Sequence, residues 1–236
     1  SVMSRMMSSL AALTVLAVAA TPMVFFLNAI VNPNGLEILG GRRILTRIIW
    51  FVSAPNVRGR VALLPAVMIA VGGFLGGNAR GVSPFWMFLF GVLFLIAVSR
   101  DRLKELLRAP GFLVGLAVAI VGSALGVAWT LKTGTLTRMG DFPGQDGSPI
   151  EMFVRMLLNA PSDPGLIGFF GWLDTPVPGL VYATYGFGIV GIVSLAAIFA
   201  NRRWRVTLIG AAVVFFAGPA FLQAASLKSS GFIWQG

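Results

Sequence analysis

The chain contains no cysteine and no histidine. Those absences remove disulfide bridges, thiol nucleophiles, imidazole bases and the zinc sites that these side chains build. Charge is scarce as well. Only 11% of residues are Asp, Glu, Lys or Arg, against about 25% in soluble domains, and eight of them are acidic. Apolar residues fill the difference, at 57% of the chain with a mean hydropathy of +0.87. A soluble fold of 236 residues cannot hide that much apolar surface, so the class is a membrane protein. No Gly-rich phosphate loop, nucleophile elbow or nucleotide fingerprint is present. No signal-peptide pattern stands at the start. The chain opens on Ser1 and stops at Trp234-Gln235-Gly236, which reads as a fragment of a longer protein.

The net charge is +10. In a soluble protein that excess would point to nucleic acid. Here the basic residues cluster between apolar runs, which points to membrane topology and anionic lipid headgroups, with no nucleic-acid partner. A spanning helix needs about 20 mostly apolar residues. The stretches 8–31, 36–52, 61–76, 84–98, 112–131, 180–200 and 206–225 reach or approach that length. Pro22 lies inside the first and predicts a kink there. Arg42, Arg43 and Arg47 interrupt the second. Facing lipid would cost about 2.5–3.5 kcal/mol each, so they face a wet cavity or the first turns lie in the interface. The expected fold class is all-α: a single polytopic transmembrane domain over 1–236 with about seven spanning helices.

Three short segments are basic: Asn56–Arg60, Arg100–Arg108 and Asn201–Arg205. Seven helices in order put all three on one side, which the positive-inside rule makes cytoplasmic. The outer side then receives 32–37, 77–83, 228–236 and the long loop 132–178. That loop holds Asp141, Asp146, Glu151, Asp163 and Asp174, five of the eight acidic residues, and six of the thirteen prolines. Within it, Ser148 to Asn159 has helical spacing. Ser148 can cap, Pro149 suits the first turn, and Glu151 stands three residues after the cap. Ile150, Phe153, Val154 and Leu157 share a face, and Glu151 can pair with Arg155. The pattern predicts a short interfacial helix on the outer leaflet.

Few residues are candidates for chemistry. Glu37 is a carboxylate at the outer mouth of two helices. It can serve as a base, as a ligand to a divalent metal ion or as an acceptor for sugar hydroxyls. Its local alternative is a helix start capped by Asn34, with Glu37 completing a capping-box-like pattern. Arg80, in the next outer loop, runs against the charge bias. Its guanidinium matches phosphate oxygens with paired donors, or else it contacts headgroups. Trp172 beside Asp174 resembles a carbohydrate subsite, an aromatic face with a carboxylate for hydroxyls. The same residues also suit a re-entry turn with an aromatic-belt anchor.

Two longer phrases carry a resemblance: Ala20-Thr-Pro-Met-Val-Phe-Phe-Leu27 with Val31-Asn-Pro-Asn-Gly-Leu-Glu37, and Gly168-Phe-Phe-Gly-Trp-Leu-Asp-Thr-Pro-Val-Pro178. With Arg80, Ser83-Pro-Phe-Trp86 and the terminal Trp234-Gln-Gly236, they resemble the bacterial predicted-membrane-protein family known as domain of unknown function 2142. That family is grouped with the C-type (GT-C) integral-membrane glycosyltransferases. The resemblance implies residence in the bacterial cytoplasmic membrane and sugar transfer at its outer face, from a polyprenyl-phosphate-linked donor to a cell-envelope acceptor. The catalytic carboxylate of that superfamily follows the first helix, which places it upstream of Ser1. Glu37 and Asp174 would position sugar or acceptor, Trp172 would belong to the same site, and Arg80 would hold the donor phosphate. Two other classes remain open. A transporter of envelope lipid or polysaccharide needs mid-membrane ionisable residues and broken helices. A non-catalytic assembly subunit would use the outer loop as a protein interface.

Overall fold

A computed structural model describes residues 14, 17, 19–29, 33–54, 62–134, 137, 140–141, 144–170 and 175–231. The helices are α1 (Pro22–Ala29), α2 (Pro33–Ser53), α3 (Leu63–Gly77), α4 (Ser83–Ala97), α5 (Arg100–Leu106), α6 (Pro110–Thr133), α7 (Pro149–Asn159), α8 (Gly179–Phe199) and α9 (Arg202–Ser230). Short 3-10 turns follow α7. A two-residue antiparallel pair, β1 (Phe169–Phe170) and β2 (Thr175–Pro176), pairs Phe169 with Pro176 and Phe170 with Thr175. The fold is otherwise all-α.

Length sorts the helices. At 1.5 Å per residue, α6, α8 and α9 reach about 36, 32 and 44 Å, beyond the roughly 30 Å of a hydrocarbon core. These three are long and apolar enough to cross a membrane. Helices α3 and α4 have 15 residues each and reach only about 22 Å. Helix α2 has 21 residues but carries Glu37, Arg42, Arg43 and Arg47.

Several boundaries differ from the sequence reading. The stretch 8–31 is interrupted at Ala20–Thr21. Residues 1–13 and 30–32 lie outside the described residues. The chain bends at Ala20, and α1 begins afresh at Pro22. Thr21 explains the restart, because its hydroxyl takes the Val24 N–H at 3.4 Å, while proline suits a first helical position. Likewise α2 begins at Pro33, so Asn34 is inside the helix and not its cap. The basic segment 100–108 is largely helical, as α5, with the Ser99 hydroxyl accepting from the Arg102 N–H. Lys132 belongs to α6, and the loop begins at Gly134, which takes a left-handed φ of 63°.

Close backbone packing holds the centre. Helix α3 lies between α2 and α6. A Cβ added at Gly40 would stand 2.7 Å from the Gly76 Cα, and one at Gly122 would stand 2.5 Å from the Phe74 Cα. At Gly115 it would meet the Ala66 carbonyl at 2.6 Å, and at Gly73 it would overlap the Ala119 side chain. Small residues that let backbones approach are how membrane helices associate, since lipid offers no hydrophobic drive between them.

The bundle has two distinct ends. At one, Phe51, Ala62, Ala66, Leu106, Ala109 and Phe112 form a buried cluster. Arg102 closes it, donating from Nε to the Phe51 carbonyl at 2.7 Å and from Nη2 to the Ala54 carbonyl. A cation there satisfies the orphaned acceptors at the C-terminus of α2. The other end holds the start of α2 and the turn between α3 and α4. Helix α9 runs antiparallel to α4: Gly210 lies against Leu93 and Ile96, Gly218 against Trp86 and Leu89, and Phe221 stacks on Phe85. Its last turns carry α7, with the Gln145 amide donating to the Ser229 carbonyl at 3.1 Å. The segment 144–159 therefore sits at the end opposite Arg102.

Helix α7 begins as its sequence predicts, with the Ser148 hydroxyl accepting the Glu151 N–H at 3.4 Å and Pro149 following. Its apolar residues divide. Met156 is buried and Phe153 and Leu157 are half-buried, while Ile150 and Val154 are exposed. Glu151 and Arg155 form no ion pair; among the described residues the ion pairs are Arg80–Glu37, Arg102–Glu105 and Lys104–Asp101.

Two outcomes test this architecture. Gly73→Leu drives a side chain into Ala119 and should cost at least 1–3 kcal/mol (roughly, for overpacking), read as lost thermal stability in detergent. Gly91→Leu, with nothing within 4 Å of its added Cβ, should leave stability unchanged; equal losses would contradict the packing. Asp146→Cys and Arg202→Cys, at opposite ends of α9, should label from opposite faces of the membrane with an impermeant thiol reagent. Labelling from one face only would show that α9 does not cross.

Candidate functional site

The turn between α3 and α4 is built to hold one side chain outward. Asn78 donates from Nδ2 to the Phe74 and Gly122 carbonyls, both at 2.7 Å, which ties the turn to α6. Ser83 is fully buried. Its hydroxyl accepts the Arg80 N–H at 2.9 Å and donates to Glu37 Oε1 at 2.7 Å. One hydroxyl thus fixes both the backbone of the turn and the carboxylate of α2. Arg80 completes the ring. Its Nη1 donates to Asn34 Oδ1 and lies 3.9 Å from Glu37 Oε2. The Glu37 side chain is 15% exposed and that of Arg80 is 45% exposed. The carboxylate is nearly enclosed, while the guanidinium faces outward.

A second junction adjoins α1. The Met23 N–H donates to the Ile167 carbonyl at 3.0 Å, and the Tyr185 hydroxyl donates to the Ala20 carbonyl at 3.1 Å. Phe170 packs on Phe26 with ring centres 5.1 Å apart. The Tyr182 hydroxyl donates to the Gly168 carbonyl at 2.5 Å and accepts the Val177 N–H at 3.3 Å. The break before α1 is therefore filled by the residues on either side of the β1–β2 pair. At Gly168 an added Cβ would meet Val177 at 2.8 Å, which explains a glycine there. Helix α1 in turn packs on α2, where Gly35 admits the Leu27 carbonyl. The two long motif phrases of the sequence thus meet in space.

Of the four candidate site residues, the structure brings Glu37 and Arg80 together. Trp172 and Asp174 lie outside the described residues. Among the described residues no three His, Cys, Asp or Glu side chains gather. Glu37, paired with Arg80, is there a single carboxylate beside a cation, a donor set that does not by itself fit a divalent ion. Ser83 joins the site without having been proposed for it from sequence, and so does Asn34, which had been read only as a helix cap. The signal for Ser83 was its place at the mouth of α4, in the same phrase as Arg80.

A family model matches residues 2–236, under the description predicted membrane protein (DUF2142). The chain belongs to that family. No curated protein and no solved structure matches it. Within this DUF2142 chain, the Glu37 and Arg80 motifs form one hydrogen-bonded unit, and the 20–27 and 168–178 motifs form another.

Tyr182→Phe tests the second unit. Losing one hydroxyl that serves two backbone groups should cost about 1 kcal/mol. The Val177 amide should then exchange hydrogen about fivefold faster, with helix content unchanged. Unaltered exchange would show that this hydroxyl does not hold the loop.

Proposed function

We propose that this DUF2142 chain belongs to an integral-membrane glycosyltransferase-like protein acting at the outer face of the bacterial cytoplasmic membrane. It moves a sugar from a polyprenyl-phosphate donor to a cell-envelope acceptor. The observation that carries the reading is the half-exposed guanidinium of Arg80, anchored through Nη1 by Asn34 and Glu37. Nε and Nη2 have no partner among the described residues, and together they offer a paired-donor edge suited to phosphate oxygens. A phosphate on that edge leaves the anchoring contacts intact, so the cation is positioned before the ligand arrives. The enclosed Glu37 orients Arg80 and gives the site an acceptor for hydroxyls. Two features support the outer side: this end of the bundle is opposite Arg102, and basic segments favour the cytoplasm. The reacting carboxylate belongs, on this reading, upstream of Ser1, with Trp172 and Asp174 serving the sugar.

A second reading, transport of an envelope lipid or polysaccharide, draws on the helix break before Pro22 and on the arginines within α2. Broken helices and intramembrane charges are features of transporters.

Arg80→Ala in the full-length protein separates these readings. The ion pair is long, at 3.9 Å, and Glu37 keeps its hydrogen bond from Ser83, so folded yield should fall less than transfer does. Sugar transfer from the lipid-phosphate donor should fall at least tenfold, about 1.4 kcal/mol. Equal losses in yield and transfer would make Arg80 structural. Translocation of lipid-linked sugar by a wild-type protein that transfers none would favour the transporter.

A further inference from the structure

We propose that the flank of α2 bearing Arg42 and Arg43 is a docking surface for a membrane helix that carries a carboxylate at mid-depth. The inference does not rest on glycosyl transfer.

Depth comes from the glycine contacts. The Arg43 Cβ lies 3.1 Å from a Cβ added at Gly72, and the neighbouring Gly73 abuts Ala119. Ala119 is within three residues of the midpoint of α6, which runs from Pro110 to Thr133 and is long enough to cross the membrane. The two arginines therefore stand near the middle of the bundle and not in an interface. Arg47, one turn on, is turned toward α3, with Nε 3.2 Å from Met68 Sδ. Arg42 and Arg43 have no ion pair among the described residues. Charges at that depth cost several kcal/mol unless they are paired, and they mark functional surfaces.

Among the described residues no carboxylate pairs with Arg42 or Arg43. Its acidic residues are Glu37, Asp101, Glu105 and the five in 132–178. Glu37 is held by Ser83 and Arg80. Asp101 and Glu105 belong to α5, at the opposite end of the bundle. No other residue of the sequence is acidic.

The shape of the flank identifies the kind of partner. Leu39, Arg42, Arg43, Thr46 and Ile49 recur at helical spacing along one side of α2. The opposite side, with Gly40, Gly41 and Ile44, is buried in the bundle. Leu39 and Ile49 are 40% and 52% exposed, and the Thr46 hydroxyl is occupied by the Arg42 carbonyl at 2.8 Å. Apolar side chains on both sides of the arginines suit a packed helix better than a water-filled path. A lipid phosphate sits about 15 Å from mid-membrane, half the hydrocarbon thickness, whereas a helix carboxylate can lie at the level of the guanidiniums. Two guanidinium forks suit one carboxylate held bidentately.

The test uses membranes from cells that express the full-length protein. Dicyclohexylcarbodiimide adds to protonated carboxylic acids in apolar surroundings and spares an ionised, arginine-paired one. In Arg42→Gln/Arg43→Gln, one Asp or Glu in a membrane helix outside residues 1–236 should label at least fivefold more than in wild type, as located by peptide mass spectrometry. In a separate variant, Thr46→Cys should resist both water-soluble and lipid-soluble maleimides until the protein is denatured. Failure of any carboxylate to gain label overturns the proposal. Reaction of Thr46→Cys with the water-soluble reagent would reveal a wet anion path, and reaction with the lipid-soluble reagent alone a bare lipid-facing flank; either also overturns it.

Discussion

Backbone-to-backbone contact at α3 is the constraint on which the rest of the structure depends. Gly72, Gly73, Gly76 and Gly77 give this helix two faces without side chains, one for α2 and one for α6. Such packing fixes register as well as distance, because a Cβ fits only where the opposing backbone leaves room. From that register follow the placement of Glu37 beside the turn at Arg80 and the depth of Arg43. The end closed by Arg102 lies one helix length away.

The site at the open end is organised around a buried hydroxyl. Ser83 spends its donor on Glu37 and takes the Arg80 N–H, so a single side chain couples two segments far apart in sequence. The result is an enclosed carboxylate that orients a cation while the cation remains half-exposed. That asymmetry separates a ligand-facing pair from a surface ion pair, in which both partners are wet and little is held in place.

Local chemistry made some of this legible in the sequence. Helix α7 was readable because Ser148 and Pro149 announce its start through contacts within one turn. The common end for Glu37 and Arg80 followed from counting apolar runs and basic segments. Their pairing did not, because it runs through Ser83 and across 46 residues. Asn34 was read as a cap since its side chain suits that role, but Pro33 occupies the first helical position and carries Asn34 inside. Pro22 predicted a kink. The restart there depends on Thr21 and on the Ile167 carbonyl, a tertiary partner that local pattern does not reveal. Apolar run length suggested about seven spans; among the described residues, length and hydropathy together identify α6, α8 and α9 as long enough to cross, with α3 and α4 apolar but shorter.

The central claim is that glycine-set register brings Glu37 against Ser83 and Arg80. It is tested most directly by placing cysteines at Glu37 and Ser83, since the chain has no others, and treating native membranes with a short bis-methanethiosulfonate, which forms a disulfide with each cysteine and releases methanesulfinate. The account predicts that the 33–53 and 83–97 segments become joined, as found after proteolysis between them, and that Gly40→Val, whose Cβ would stand 2.7 Å from the Gly76 Cα, abolishes the joining. Failure to cross-link in the glycine-intact protein, or cross-linking that survives Gly40→Val undiminished, would contradict it.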